Sequence, residues 1–396
     1  MRLRYTREQR ALAEELRGYF AALMTPERRA ALETGGSEDG GGDYGDGSAY
    51  REIVRQLGKD GWLVLGWPTE YGGQGRSQLD QLIFLDEAAV AGVPIPFLTL
   101  NTVGPTIMRH GSEAQKRDYL PRIAGGELHF AIGYSEPGAG TDLASLRTKA
   151  ERDGDEYVIN GQKMWTSLVG YADYVWLACR TDPDAVRHRG LSMLVVPTDS
   201  PGFSWTPVRT MAGVTTSATY YENVRVPVDA RIGGENEGWA LITNQLNHER
   251  VALTSAAPLR KALADVRAWA AATPGRGGGR LLDSEWVQIH LARVHAHTEV
   301  LRLMNLRTAW EHDLTPAAAS ATKVYGTELA TEAYRLLMEV LGPAATLRAG
   351  SPGAVLQGRI ERAHRAALIL TFGGGTNEIQ RDIIAAGGLR LPVGRR

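Results

Sequence analysis

The residues best suited to chemistry lie between Ala131 and Ser167, AIGYSEPGAGTDLASLRTKAERDGDEYVINGQKMWTS. The stretch opens on a Gly-rich, acid-containing turn, Ser135-Glu136-Pro137-Gly138-Ala139-Gly140-Thr141-Asp142, and closes on Met164-Trp165-Thr166-Ser167. Backbone N–H groups and short hydroxyls on such a turn can grip the polar edge of a ring, while a tryptophan covers its apolar face. A second Gly-rich run, Gly373-Gly374-Gly375-Thr376, precedes a helix predicted from near Asn377. A helix start of that kind offers N–H groups to a phosphate or to a cofactor's polar atoms.

These groups need elements to hold them. Asp153-Gly154 and Asn160-Gly161 suit two-residue primed turns, so the first stretch reads as a β-meander joining the hydroxyl-rich loop to the Trp-Thr-Ser edge. From Ala131 to about Gly233, short apolar or alternating runs are separated by Gly, Pro and Asp, which marks a β domain of barrel or sandwich type. No G-x-G-x-x-G follows a strand, so a dinucleotide-binding α/β fold is not supported. Before it the pattern is helical. Thr6-x-x-Gln9 is a capping box followed by Leu12, Leu16, Phe20 and Leu23 at helical spacing. Residues 34–48 are too polar and Gly-rich to pack and read as a loop. Further helices are predicted around Ile53, Val54 and Leu57, from about Ser77 to Ala91, and from the Ser112-x-x-Gln115 capping box to Gly125-Gly126. From Gly238 onward the chain is helical again, with Val287, Leu291, Val294, Leu301 and Met304 on one face. Long helices of this kind form bundles that also carry oligomer interfaces.

Composition narrows the function classes. The 396 residues carry 44 basic and 45 acidic side chains, a balance that argues against capture by nucleic acid or an anionic membrane. The single cysteine, Cys179, excludes an internal disulfide and reads as a buried strand residue rather than a nucleophile. The nine histidines include no H-E-x-x-H pattern, so no metal is expected. No signal-like start and no membrane-length apolar run is present, and a cytoplasmic protein is expected.

The SEPGAGTD and NGQKMWTS motifs, in this order and spacing, resemble the two signatures of the acyl-CoA dehydrogenase family, and WPTEYGGQG at Trp67 to Gly75 resembles a third family loop. The resemblance covers nearly the whole chain. It implies an α+β multidomain fold: an N-terminal all-α domain at 1–127, a middle β domain at 128–235 and a C-terminal four-helix bundle at 236–396. It also implies FAD. By position, Tyr134 and Ser135 would meet the flavin's pyrimidine edge, and Thr141 would lie near the pyrophosphate or CoA. Trp165 would stack near the flavin, Ser167 would stand at its N5/O4 side, and Thr376 and Glu378 would also touch FAD.

Flavin-dependent α,β-dehydrogenation needs a base for a weakly acidic α-proton, which calls for a carboxylate whose pKa is raised in a tight pocket. The common family position for that Glu falls here on Gly374, which cannot take a proton. Other branches place it before an Arg on the first C-terminal-domain helix, and Leu246-Asn247-His248-Glu249-Arg250 resembles that arrangement. Glu249 is therefore the candidate base. Asn247 and Arg250 are candidate substrate contacts, Arg250 at the CoA end or bracing the site, and Gly374 leaves room for a bulky acyl group. His248 points about 100° away from Glu249 and is expected to face solvent or to support the site.

Two family motifs that bind the FAD diphosphate and adenine of a neighbouring subunit are missing. Gly277 and Arg280 stand where the family has Arg and Phe. The second motif has become Glu339-Val340-Leu341-Gly342-Pro343-Ala344-Ala345, and a Glu facing a diphosphate is repulsive. This combination resembles subunits of the heteromeric α2β2 acyl-CoA dehydrogenases of actinobacteria, many from steroid side-chain catabolism. It implies a homologous partner subunit and reoxidation by an electron-transferring flavoprotein. The alternatives are a homomeric acyl-CoA or acyl-carrier dehydrogenase of a biosynthetic pathway, a catalytically silent subunit, or a flavin oxidase or monooxygenase on the same fold.

Overall fold

The structure is a computed structural model that describes residues 4–33, 44, 47–213, 215–252, 254–275, 277–310 and 315–392, without the side chains of 246–252. The segment expected as a polar loop at 34–48 lies largely outside the described residues.

The first layer is helical: α1 (Arg7–Leu23), α2 (Pro26–Glu33), α3 (Ser48–Lys59), α4 (Gln78–Ala91), α5 (Gly104–His110) and α6 (Glu113–Ala124). The capping boxes at Thr6/Gln9 and Ser112/Gln115 form, and Ser77/Asp80 makes a third. Gln115 does more than cap, because its Nε2 also donates to the carbonyls of Asp229 (2.7 Å) and Arg231 (2.9 Å), tying α6 to the middle domain. A π-turn, Thr99–Val103, runs straight into α5. Gly104 at this joint lets Trp67 pack against it, since a Cβ there would fall 2.2 Å from the indole ring.

The middle layer is one eight-stranded sheet: β1 (Phe130–Gly133), β2 (Lys149–Asp153), β3 (Glu156–Lys163), β4 (Tyr174–Arg180), β5 (Leu191–Pro197), β6 (Phe203–Arg209), β7 (Thr215–Pro227) and β8 (Arg231–Ile232). Its order is β6-β7-β3-β2-β4-β5-β8, with β1 parallel to β4. The runs YVWLACR and LSMLVVP form β4 and β5 and are buried on both faces, as continuous apolar strands should be. A two-residue turn forms one position later than expected from Asp153-Gly154: Asp153 is the last residue of β2 and pairs with Glu156, leaving Gly154 and Asp155 at the centre. The second does not. Asn160-Gly161 lies inside β3 at a register shift against β7. Gly161 is needed there for closeness, since a Cβ would lie 2.5 Å from Thr148 Oγ1.

The last layer holds α7 (Gly238–Ala252), α8 (Ala257–Ala272), α9 (Glu285–Trp310), α10 (Pro316–Leu341), α11 (Arg359–Leu370) and α12 (Asn377–Ile383). α10 touches α7, α8, α9, α11 and α12 and is the bundle's centre. Val287, Leu291, Val294 and Leu301 of α9 are buried in its core. A separate core runs from the N-terminal helices through Phe130, Trp176 and Val195 of the sheet to Leu241 and Ile242 of α7. No described helix is long and apolar enough to cross a membrane.

Candidate active site

The SEPGAGTD loop leaves β1 and closes on itself through paired backbone bonds between Glu136 and Ala139 of 3.0 and 3.1 Å. Its anchor is Glu136. The carboxylate accepts from the N–H groups of Arg147 (2.7 Å) and Thr148 (2.8 Å) and from Lys163 Nζ (2.9 Å). Lys163 has no exposed side-chain area and donates also to the Tyr134 carbonyl at 3.0 Å. Burial alone would push the Glu136 carboxyl up, but Lys163 and the Thr148 hydrogen bonds hold it below the usual carboxylate range. Burial draws the Lys163 ammonium down, against the pull of Glu136. The Ser135 carbonyl then accepts from Met164 N at 2.8 Å. The two motifs are therefore one structure, joined through a buried ion pair and a backbone hydrogen bond.

The next residue has an uncommon backbone conformation for its size. Trp165 sits at φ 67°, and its side chain is 56% exposed. A left-handed conformation costs a bulky L-residue about 1–2 kcal/mol, and an indole held out in water gains little from burial. The bend is nevertheless firmly built. Thr166 N donates to Ser217 O (2.9 Å), Thr166 Oγ1 lies 3.3 Å from Thr219 Oγ1, and Ser167 Oγ donates to Thr216 Oγ1 (3.1 Å). Strain kept in place by surrounding structure marks a functional position. Ser135 is half-buried beside this edge, and Thr141 is exposed at the loop's far end, next to an Asp142–Arg187 ion pair of 2.9 Å.

Tyr134 stands apart from its neighbours. Its hydroxyl accepts from Trp176 Nε1 (3.2 Å) and donates to Gln245 Oε1, so the phenol is committed to the junction between β1 and α7. Asn247, His248, Glu249 and Arg250 follow on the last turns of α7; their side chains lie outside the described residues.

The second Gly-rich run links α11 to α12. Gly374 has φ 68° and Gly375 φ 97°, values that favour glycine on conformational grounds alone. The loop hangs on Lys323 of α10, a fully buried lysine whose Nζ donates to Thr371 O (3.1 Å), Gly375 O (2.8 Å) and Asn377 Oδ1 (2.7 Å). Thr376 caps α12 by accepting from Ile379 N at 3.3 Å. Glu378 is exposed, and hydrogen bonds from its own N–H and from Thr376 at the helix start hold its carboxyl below the usual range.

Sequence reasoning missed the roles of Glu136, Lys163, Lys323 and Gln245. One signal was present. Lys163 falls in period-2 register with Tyr157 and Ile159, so a strand buried on that face required a partner for its charge.

The groups where the neighbour-facing motifs would be are occupied with one another. Arg280 pairs with Asp283 at 2.7 Å. Glu339 pairs with Arg335 and with His290 Nε2 at 2.7 Å.

A helical–β–helical chain with this loop and bend is the architecture of an acyl-CoA dehydrogenase. The N-terminal, middle and C-terminal domain models of that family match residues 6–127, 131–224 and 236–389, and the chain belongs to it. It is therefore an oxidoreductase acting on CH–CH bonds, and the family implies a flavin. Among its relatives is the acyl-CoA dehydrogenase FadE26 of Mycobacterium tuberculosis, 65% identical with 100% of each chain covered. A chain of the ChsE4-ChsE5 complex from the same organism matches with TM-score 0.93 and 66% identity over 100% of both. A chain of the Tcur3481-Tcur3483 steroid acyl-CoA dehydrogenase matches with TM-score 0.91 and 49% identity, again over 100% of both.

Proposed function

We propose that this chain supplies the catalytic, flavin-ring half of a heteromeric acyl-CoA dehydrogenase that converts a bulky, steroid-derived acyl-CoA to its 2-enoyl-CoA. The observation that carries the heteromeric part is Glu339, whose carboxylate is paired with His290 and Arg335 where a diphosphate-binding amide is required. The ring half fits the cofactor. Trp165 presents an indole face on a strained, rigidly held bend, with the Ser135 and Ser167 hydroxyls beside it. Thr141, Thr376 and Glu378 would complete the contacts, together with the backbone at Tyr134. When bound, FAD supplies the acceptor for the substrate's β-hydride.

The chain's own work is orientation and proton removal. Glu249 on α7 would take the α-proton, with Asn247 and Arg250 steadying the CoA end and Gly374 leaving space for branching or rings. A partner subunit would contribute the diphosphate site, and an electron-transferring flavoprotein would reoxidise the assembly. A docking face is available on α9. Trp286, Ile289, Val300, Leu303 and Trp310 recur at heptad-like spacing and are all exposed in the single chain.

The test is the visible spectrum and FAD content of the chain alone and after co-expression with the homologous partner. Little flavin alone and one FAD per heterodimer are expected; full occupancy alone would refute the shared site in favour of a homomer. In the loaded assembly Glu249→Gln should cut turnover by about 10²–10⁴-fold with flavin retained. A silent subunit would be indifferent to the change.

A further inference from the structure

The segment that bears the candidate base is bracketed by two buried hydrogen-bond clusters, each crossing a boundary between layers. On its N-terminal side, Gln245 is 3% exposed and joins three domains. Its Oε1 accepts from Tyr134 OH of the middle domain, and its Nε2 donates to Thr106 Oγ1 of α5 at 2.9 Å. Thr106 in turn donates to the Thr102 carbonyl at 2.7 Å, on the π-turn that packs against α7. On the C-terminal side, Ser255 Oγ donates to Asp86 Oδ1 of α4 at 2.6 Å and accepts from Ala257 N at 3.0 Å, starting α8. Asn305 of α9 closes the same joint, donating to Thr254 O (3.0 Å) and accepting from Ala256 N (3.1 Å). Gly326 of α10 leaves room for this, since a Cβ there would meet Thr254 Cβ at 2.6 Å.

We propose that Gln245 and Ser255 are positioning residues for the catalytic segment 246–254, acting as two clamps that fix α7 relative to the cofactor loop. The proposal rests on the reading of Glu249 as the base. Positions 245 and 249 are one turn apart and share a helix face, about 6 Å along the axis. Tyr134, the phenol that Gln245 accepts from, directly precedes Ser135 of the cofactor loop. One hydrogen bond therefore spans from the loop to the helix that carries the base. Among the described residues no other side chain of α7 hydrogen-bonds to the sheet, and apolar packing alone does not select a rotational setting to a few tenths of an ångström. Misplacement of a reacting group by about 1 Å can cost on the order of 10²-fold in rate.

The clamp is polar where apolar side chains would pack at least as well, which points to geometry rather than stability as its purpose. Every group in it is satisfied except Thr102 Oγ1, which is buried without a partner. Hydrogen bonds from three domains converge on one short stretch.

The experiment uses the flavin-loaded assembly and compares Gln245→Leu, Tyr134→Phe and Ser255→Ala with the native chain. Two readouts are taken: backbone hydrogen exchange of the 246–254 peptide, and steady-state kcat and KM. The expected result is exchange in that peptide faster by tenfold or more, with kcat down about 10–100-fold and KM within threefold. Tyr134→Phe removes a single oxygen and keeps the ring, so it remains informative if Gln245→Leu fails to fold. Exchange and kcat both unchanged would overturn the clamp. Faster exchange with native kcat would also overturn it, because the clusters would then hold the helix without setting the base. The underlying reading fails separately, on Glu249→Gln keeping full turnover while the exchange results stand.

Discussion

Glu136→Gln is the sharpest test of how the site is held. The change keeps the side chain's size and one carbonyl-like oxygen but removes the charge that faces Lys163 Nζ at 2.9 Å. Lys163 has no exposed area, so its ammonium would be left with the neutral Tyr134 carbonyl, 3.0 Å away, and the new amide. In addition, Glu136 accepts from two peptide N–H groups, Arg147 and Thr148, through both oxygens. A glutamine must point its NH2 at one of these. Breaking a buried pair by removing one partner costs about 3–5 kcal/mol. With about 2.1 cal/mol/K of unfolding entropy per residue, a 396-residue chain loses about 4–6 °C of melting temperature for that amount. The assay is thermal or urea denaturation near pH 7, run as a double-mutant cycle with Lys163→Met. The double variant should recover much of the loss, because it leaves no buried charge at either position. A single-variant loss under 1 kcal/mol, with coupling under 1 kcal/mol, would refute the claim that this pair anchors the loop.

Three further outcomes are expected. Asp86 is half-buried against Ser255, with Arg260, Glu87 and Tyr5 as its charged or titratable neighbours, and desolvation there pushes its carboxyl from 3.8 up to about 6. The folded chain binds this proton more tightly than the unfolded one, so the contribution is full below pH 3.8 and is lost as pH rises through about 6. Asp86→Asn should flatten the stability curve in that window, by about 3 kcal/mol, and unchanged curvature would contradict the burial argument. Trp165→Gly should leave thermal stability unchanged or about 1 kcal/mol higher, since it relieves the left-handed strain, while flavin affinity falls at least tenfold. A loss of stability instead would mean that the indole serves the fold. Gly161→Ala should destabilise by about 1–3 kcal/mol, measured by urea unfolding, because its Cβ would lie 2.7 Å from the Thr148 backbone.

Local signals were read correctly where the physics is local. The capping boxes at Thr6 and Ser112, and the helix start near Asn377, each depend on a few consecutive residues, and each forms. Of the apolar face of α9 named from its spacing, Val287, Leu291, Val294 and Leu301 are buried in the bundle core, whereas Met304 is half-buried and outside it. Asn160-Gly161 shows the limit. The dipeptide suits a turn, but its role is set by Thr148 packing against it from β2's entry, so a bulge forms instead. The loop bearing Ser135 and Thr141 and the bend bearing Trp165 and Ser167 were expected to lie side by side, and the Ser135 carbonyl does meet Met164 N, but the forces that place them were not legible. Glu136 meets Lys163 across 27 residues, and Gln245 meets Thr106 across 139. Nothing in the sequence near either residue specifies its partner. Lys323 was hidden for the same reason, as one lysine in an Ala-rich helix whose three acceptors lie near the other end of the domain.

The exposed seam on α9 also has a consequence for the cell. Trp286, Ile289, Val300, Leu303 and Trp310 together give a folded single chain an apolar strip along a 26-residue helix. A chain made in excess of whatever covers that strip would be a client for chaperones and proteases, or a seed for self-association. With the proposed partner subunit covering the strip, steady-state abundance should follow the supply of that partner rather than the chain's own rate of synthesis.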